Sequence, residues 1–211
     1  MSAPHFGDAA KFTLLLPAFG GEHRSIMRWF WIDRFVAFES GRRAVAIKNI
    51  SFAEEQIAEY TSAMAIMPAS LIIEGVAQTG GLLVGEHVGF RERVILAKVA
   101  KAEFHGYATP GDTLTYTVDI LNVRANGAII DATVHIGDRL LATLQIVFAL
   151  LDDRFAGVEL IDAKMLLSVL RRYRMYEVGR KADGSPLELP PHLASAENAL
   201  FDEDSSSLVA G

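Results

Sequence analysis

An α+β fold, an antiparallel β-sheet wrapped around a central helix, follows from three observations on this 211-residue chain. Two β-rich runs lie between residues 27 and 52, a largely apolar stretch follows Pro68, and four more β-rich runs end near Leu151. A sheet of sequential strands with one helix among them buries its apolar face most simply by closing around that helix.

Each element has its own signal. The string MRWFWIDRFVAF, residues 27–38, is aromatic and β-branched. Glu39-Ser40-Gly41-Arg42 supplies turn residues before RAVAIKNISF, so two strands joined by a hairpin-like turn are expected. Residues 53–65 have weak periodicity and fit either a short helix or a packed loop. Pro68 suits a helix start, because proline lacks only an N–H that would be unpaired there. Leu71, Ile72, Ile73, Val76, Ala77, Leu82, Leu83 and Val84 then surround the axis almost completely, which predicts a buried helix and not a surface amphipath. The runs RVILAKVAKAEFHGYA, TLTYTVDILNVRA, IIDATVHIG and RLLATLQIVFALL are strands separated by turn signals at Pro110-Gly111-Asp112, Asn126-Gly127 and Gly137-Asp138.

The flanks differ from this body, which spans residues 23–153. Residues 1–22, with Pro4, Gly7, Pro17, Gly20 and Gly21, read as an extended N-terminal arm. In residues 154–181, Val158, Ile161, Met165, Leu166, Val169 and Leu170 recur at helical spacing, so an added amphipathic C-terminal helix is expected. The tail 182–211 carries Gly184, Pro186, Pro190, Pro191 and an acidic-serine stretch, and is expected to be disordered or loosely wrapped.

Composition removes several function classes. With 20 Lys+Arg against 26 Asp+Glu and a formal charge of −6, a nucleic-acid footprint is not expected. The absence of cysteine excludes disulfides, thiolate zinc sites and cysteine nucleophiles, and suits a reducing, cytoplasmic setting. The apolar run at Leu14-Leu15-Leu16 is too short to span a bilayer, so neither a membrane segment nor a signal peptide is expected. No histidine pair has metal-helix spacing and no glycine-rich dinucleotide fingerprint occurs, so neither metal nor cofactor is expected. Gly75, Gly80, Gly81 and Gly85 read as close helix-to-sheet packing.

Glu74 is the most informative residue. A carboxylate inside an apolar helix must be hydrogen-bonded, paired, neutralised or lining a pocket. Such a group can deliver a proton or, once ionised, accept one; the alternative is a structural Glu tied to backbone donors or to a partner subunit. Gln78 lies one turn later on the same face and can orient that carboxylate or serve as a core amide. The helix start at Ala69-Ser70 presents backbone N–H groups and a positive dipole end, suited to polarising a carbonyl. Arg171, Arg172, Arg174, Arg180 and Lys181 form the basic cluster, either solvated or receiving a phosphate.

The strings IDRF (32–35), RRAVAIKNISF (42–52), MPASLIIEGVAQTGG (67–81) and ATPGDTL (108–114) resemble the 3-hydroxyacyl-acyl-carrier-protein dehydratases of the FabA/FabZ type, which have the hotdog fold. The likeness runs from Arg28 to about Leu151 and is closer to the FabZ branch, because the helix acid is Glu74. It implies dehydration of (3R)-hydroxyacyl thioesters in fatty-acid or related acyl-chain biosynthesis, with substrate carried on acyl carrier protein or coenzyme A. It also implies Glu74 as the catalytic acid, substrate contacts from Met67, Pro68, Ala69, Ser70 and Gln78, and pairing of two hotdogs into a homodimer or a trimer of dimers.

One departure is specific. Where the family carries a catalytic His in a loop of the form G-H-F-P-G, this chain has Glu59-Tyr60-Thr61-Ser62-Ala63, so Tyr60 stands at the position of the base. A phenol with an ordinary pKa of about 10 is a poor base at neutral pH, and loss of a positioned base typically costs about 10²–10⁴-fold in rate. Two other readings therefore accompany the dehydratase: a non-catalytic acyl-thioester binding or scaffold subunit, and a hotdog thioesterase in which Glu74 acts as nucleophile or as base for water. His87 is about 20 Å along the helix from Glu74. His105 and His23 could reach the site only across a subunit interface.

Overall fold

The computed structural model describes residues 30–54, 57, 64–151 and 163–194. The strand β1 (Arg34–Glu39) turns through Ser40-Gly41-Arg42 into β2 (Arg43–Asn49). The helix α1 (Ala69–His87) follows, and then β3 (Arg93–Phe104), β4 (Thr113–Arg124), β5 (Gly127–Ile136) and β6 (Arg139–Leu151). The C-terminal part supplies α2 (Ala163–Arg172), a single turn α3 (Met175–Val178) and a two-residue strand β7 (Gly179–Arg180).

The strands form one sheet in the order β3-β6-β5-β4-β2-β1-β7, antiparallel throughout except where β7 runs parallel to β1. The order follows from the turns. The Asn126-Gly127 and Gly137-Asp138 signals make tight hairpins that set β4, β5 and β6 side by side, with Gly137 at φ +56°, in the left-handed region that favours glycine. Two register shifts in β3, at Leu96/Lys98 and Val99/Lys101, add residues to the edge strand alone and so bend it. The curved sheet packs on α1 through β2, β3, β4, β5 and β6. Alternation along β4, β5 and β6 sends Leu114, Tyr116, Val118, Ile130, Val134, Leu144, Ile146 and Phe148 into that interface.

The helix can lie close because its sheet-facing side includes Gly75 and Gly80. A Cβ on Gly80 would stand 2.9 Å from Cδ1 of Ile130. At the other end, Glu86 fastens α1 to the β1–β2 turn, its Oε1 accepting from the Ser40 hydroxyl at 2.8 Å and its Oε2 from the Gly41 N–H at 3.1 Å.

Three expectations change. The first strand begins at Arg34 and leaves residues 30–33 outside it, Asp33 using its carboxylate to accept from the Asn49 N–H and side-chain amide. The expected C-terminal helix ends at Arg172: Arg174 takes a left-handed conformation, φ 59°, and the chain re-enters as α3 and β7. In the segment expected to be loose, residues 182–194 are described and place Leu187 and Leu193 in buried positions, with the Leu187 N–H donating to Gly179 O at 3.0 Å. Averaging composition over the whole tail hid these two leucines behind the prolines and acidic residues. Residues 1–29 and 195–211, and most of 53–65, lie outside the described residues, so the arm, the far tail and the choice between helix and loop do too.

Candidate active site

The centre of the site is a hydrogen-bonded chain built on α1. Glu74 and Gln78 are one turn apart and half-buried. The Gln78 side-chain N–H donates to Glu74 Oε1 at 3.0 Å. Gln78 Oε1 in turn accepts two bonds, from the Trp31 backbone N–H at 3.0 Å and from the Tyr173 hydroxyl at 3.2 Å. Two donors on the amide oxygen leave its NH₂ group facing the carboxylate, which fixes the orientation of the amide. The Gln78 amide therefore holds one oxygen of Glu74 from the same helix, and Glu74 has the partner that a carboxylate among apolar residues requires.

Tyr173 reaches Gln78 from outside the sheet-and-helix body. It follows α2, is 2% exposed, and packs edge-on against Phe30 and Phe35 with ring centroids 5.7 and 6.2 Å apart. Its carbonyl also accepts from the Phe35 N–H at 2.8 Å. Burial, with Glu74 and Asp33 adding to it and Arg172 opposing, holds its phenol well above the ordinary tyrosine range, so it stays protonated and donates. Nothing in RRYRMYEV separates this tyrosine from Tyr176, and the sequence reading missed it.

The expected substrate-binding residues are at the start of α1. Met67 and Pro68 are buried, Ala69 and Ser70 exposed, and the Met67 N–H donates to Ala108 O at 2.9 Å, which ties the entry to the ATPGDTL loop. The first turn has no side-chain cap and no acidic residue, so its N–H groups are not covered by the helix's own side chains. Tyr60 lies outside the described residues. Just before that region, buried Lys48 pairs with Glu54 at 3.0 Å and with Asp33 at 3.5 Å, which anchors the chain where it leaves β2.

Other candidates fall elsewhere. His105 is exposed at the end of β3, and His87 stands at the far end of α1, its ring against Gly41. Members of the basic cluster have partners in the protein: Arg172 lies 4.9 Å from the Phe30 ring, Arg174 pairs with Glu177 at 2.6 Å, and Lys181 with Glu188 at 3.0 Å. Among the described residues no group of three His, Asp or Glu is arranged to hold a metal ion, and no helix is long and apolar enough to cross a membrane.

A curved sheet around a helix that carries one amide-held carboxylate defines an α+β protein of the hotdog class with its polar site on the central helix. Residues 23–145, more than half of the chain, match the FabA-like domain, and the chain belongs to that family. It is similar to the 3-hydroxyacyl-[acyl-carrier-protein] dehydratase FabZ of Desulforamulus reducens, 32% identical over 120 residues that cover 56% of this chain and 84% of the relative. The enzyme of the same name from Symbiobacterium thermophilum is 34% identical over 122 residues, covering 57% and 86%. Among solved structures, the dehydratase heterocomplex ApeI:P from Xenorhabdus doucetiae superposes with a TM-score of 0.51 over 70% of this chain and 92% of that one, at 13% identity, which shows the shared fold.

Proposed function

We propose that the protein binds a (3R)-hydroxyacyl thioester, carried on acyl carrier protein or coenzyme A, and that Glu74 faces the C3 hydroxyl as the proton donor of a FabZ-like dehydration in acyl-chain biosynthesis. The observation that carries this reading is the amide-held Glu74 on the central helix of a FabA-like domain. In the reaction, Glu74 gives its proton to the departing hydroxyl as the C3–O bond breaks. The electrons of the C2–H bond become the C2=C3 double bond, and the C2 proton passes to a base. The N–H groups at Ala69 and Ser70 polarise the thioester carbonyl, which makes C2 more acidic.

The base is where this chain departs from the loop pattern that the family resemblance implies, and with Tyr60 in its place the forward reaction is slow. That substitution also favours a second reading, a non-catalytic acyl-thioester binding subunit that partners an active relative. Both readings include a cytoplasmic setting, a body over residues 23–153 with an extension over 154–181, and at least a homodimer. The dimer is supported by the strand order, because among the described residues β7 pairs with β1 at Phe38 and Glu39 while the twelve-residue β3 has no strand beside its outer edge.

The test is turnover of purified protein on 3-hydroxyacyl, enoyl and saturated acyl thioesters, with Glu74→Gln beside it. Slow interconversion of the first two that Glu74→Gln abolishes supports dehydration. Binding without turnover supports the subunit reading, and hydrolysis of the saturated thioester would replace both with a thioesterase.

A further inference from the structure

We propose that Tyr173, contributed by the C-terminal extension and lying beyond the residues that match the FabA-like domain, is a positioning residue for Glu74 that acts through the Gln78 side-chain amide. The inference rests on the reading of Glu74 as the reactive acid.

The argument is one of hydrogen-bond supply. An amide side chain can present either its oxygen or its nitrogen to a carboxylate, and only the nitrogen stabilises it. Trp31 N–H and Tyr173 O–H both donate to Gln78 Oε1, which leaves the NH₂ end for Glu74. The tyrosine has little freedom to do otherwise. Its ring is wedged against Phe30 and Phe35, its own N–H donates to Val169 O at 2.9 Å, and its carbonyl receives the Phe35 N–H. The extension is held to the body on both sides of Tyr173: Leu170 and Met175 are fully buried, and β7 pairs with β1 at Phe38↔Gly179 and Glu39↔Arg180. A hydroxyl delivered by so rigid a mount transmits the placement of the extension to the site. In a pair of relatives with and without such an extension, Gln78 would differ by one donor.

The test uses full-length protein selectively labelled with ¹⁵N-glutamine, the Gln78 side-chain signals being assigned by their loss in Gln78→Leu. Tyr173→Phe, which keeps the ring contacts, should shift the Gln78 amide signals, and Glu74→Gln should shift the same pair. On 3-hydroxyacyl thioesters Tyr173→Phe should lower kcat about three- to tenfold, the worth of one hydrogen bond, with KM unchanged. In a Gln78→Leu background the further change to Phe should have no effect on kcat. Gln78 signals that stay in place in Tyr173→Phe overturn the proposal, as does a kcat loss that persists without Gln78. A wild-type protein with no turnover removes the dehydratase reading instead, and the amide signals still decide the role of Tyr173.

Discussion

The phenol of Tyr116 fills the space that a side chain on Gly75 would need. A Cβ on Gly75 would stand 2.5 Å from Cζ and 2.6 Å from Oη of Tyr116, and 2.9 Å from the Trp31 carbonyl oxygen. None of these neighbours can give way cheaply, since Tyr116 is fully buried and Trp31 O is backbone. Gly75→Ala should therefore cost about 1–3 kcal/mol through overpacking, read as a lowered Tm. Because Trp31 also holds Gln78, the same change should disturb the residue beside Glu74. A Tm equal to wild type would mean that α1 and β4 are not in this close approach.

Alkaline pH should weaken the fold through two buried tyrosines. Burial raises Tyr116 and Tyr173 above the ordinary range, with nearby carboxylates adding to it. A group whose folded pKa is raised contributes stability that is complete below its unfolded pKa, about 10, and is lost as pH rises toward the folded value. Denaturant unfolding at pH 9 and pH 11 should show a drop for wild type and a smaller drop for Tyr173→Phe. Equal drops in the two proteins would remove Tyr173 from the account.

The C-terminal segment should matter to stability as far as residue 194. Leu187 belongs to the main core cluster and Leu193 is 3% exposed. Fully burying a leucine is worth about 1.5–3 kcal/mol. Truncation after residue 182 should lower Tm by several degrees, and Leu187→Ala should reproduce part of that loss. A truncated protein as stable as wild type would show that these leucines contribute little.

The open edge at β3 predicts association. Its twelve residues present a row of main-chain groups with no neighbouring strand among the described residues, and charged Lys98 and Lys101 interrupt it only in part. Light scattering at micromolar concentration should give at least a dimer, and a monomer would count against the paired-hotdog reading.

The three-strand meander β4-β5-β6, its hairpins and the central helix were legible because each rests on local chemistry: period-two alternation, Asn-Gly and Gly-Asp turns, and a proline before an apolar helix. The relation between Glu74 and Gln78 was legible for the same reason, since i and i+4 on a helix must be neighbours. Tyr173 was not, because it meets Gln78 across 95 residues of sequence and nothing local marks that contact. Nor were Leu187 and Leu193 legible, being two apolar residues in a proline-rich, acidic stretch whose average composition argues for solvent. The start of β1 was misplaced for a related reason: the aromatic character of Trp31 suits a buried residue in any conformation, and Trp31 is buried outside the strand.

Tyr60→His is the variant that separates a lost base from a lost site. If dehydration is slow in wild type because a phenol replaces an imidazole, the substitution should raise interconversion of four- to eight-carbon 3-hydroxyacyl and enoyl thioesters. An imidazole with an ordinary pKa of about 6.5 can take the C2 proton at neutral pH, and a phenol near 10 cannot. The gain should fall short of a full base contribution of about 10²–10⁴-fold, because Thr61, Ser62 and Ala63 replace the family's F-P-G and an ångström of misplacement can itself cost about 10²-fold. Glu74→Gln in that background should abolish whatever is gained, since the departing hydroxyl would then lack its proton. Wild-type turnover that is already fast and survives Tyr60→Phe would sink this account and direct the search for the base to His105 or His23 of a neighbouring chain.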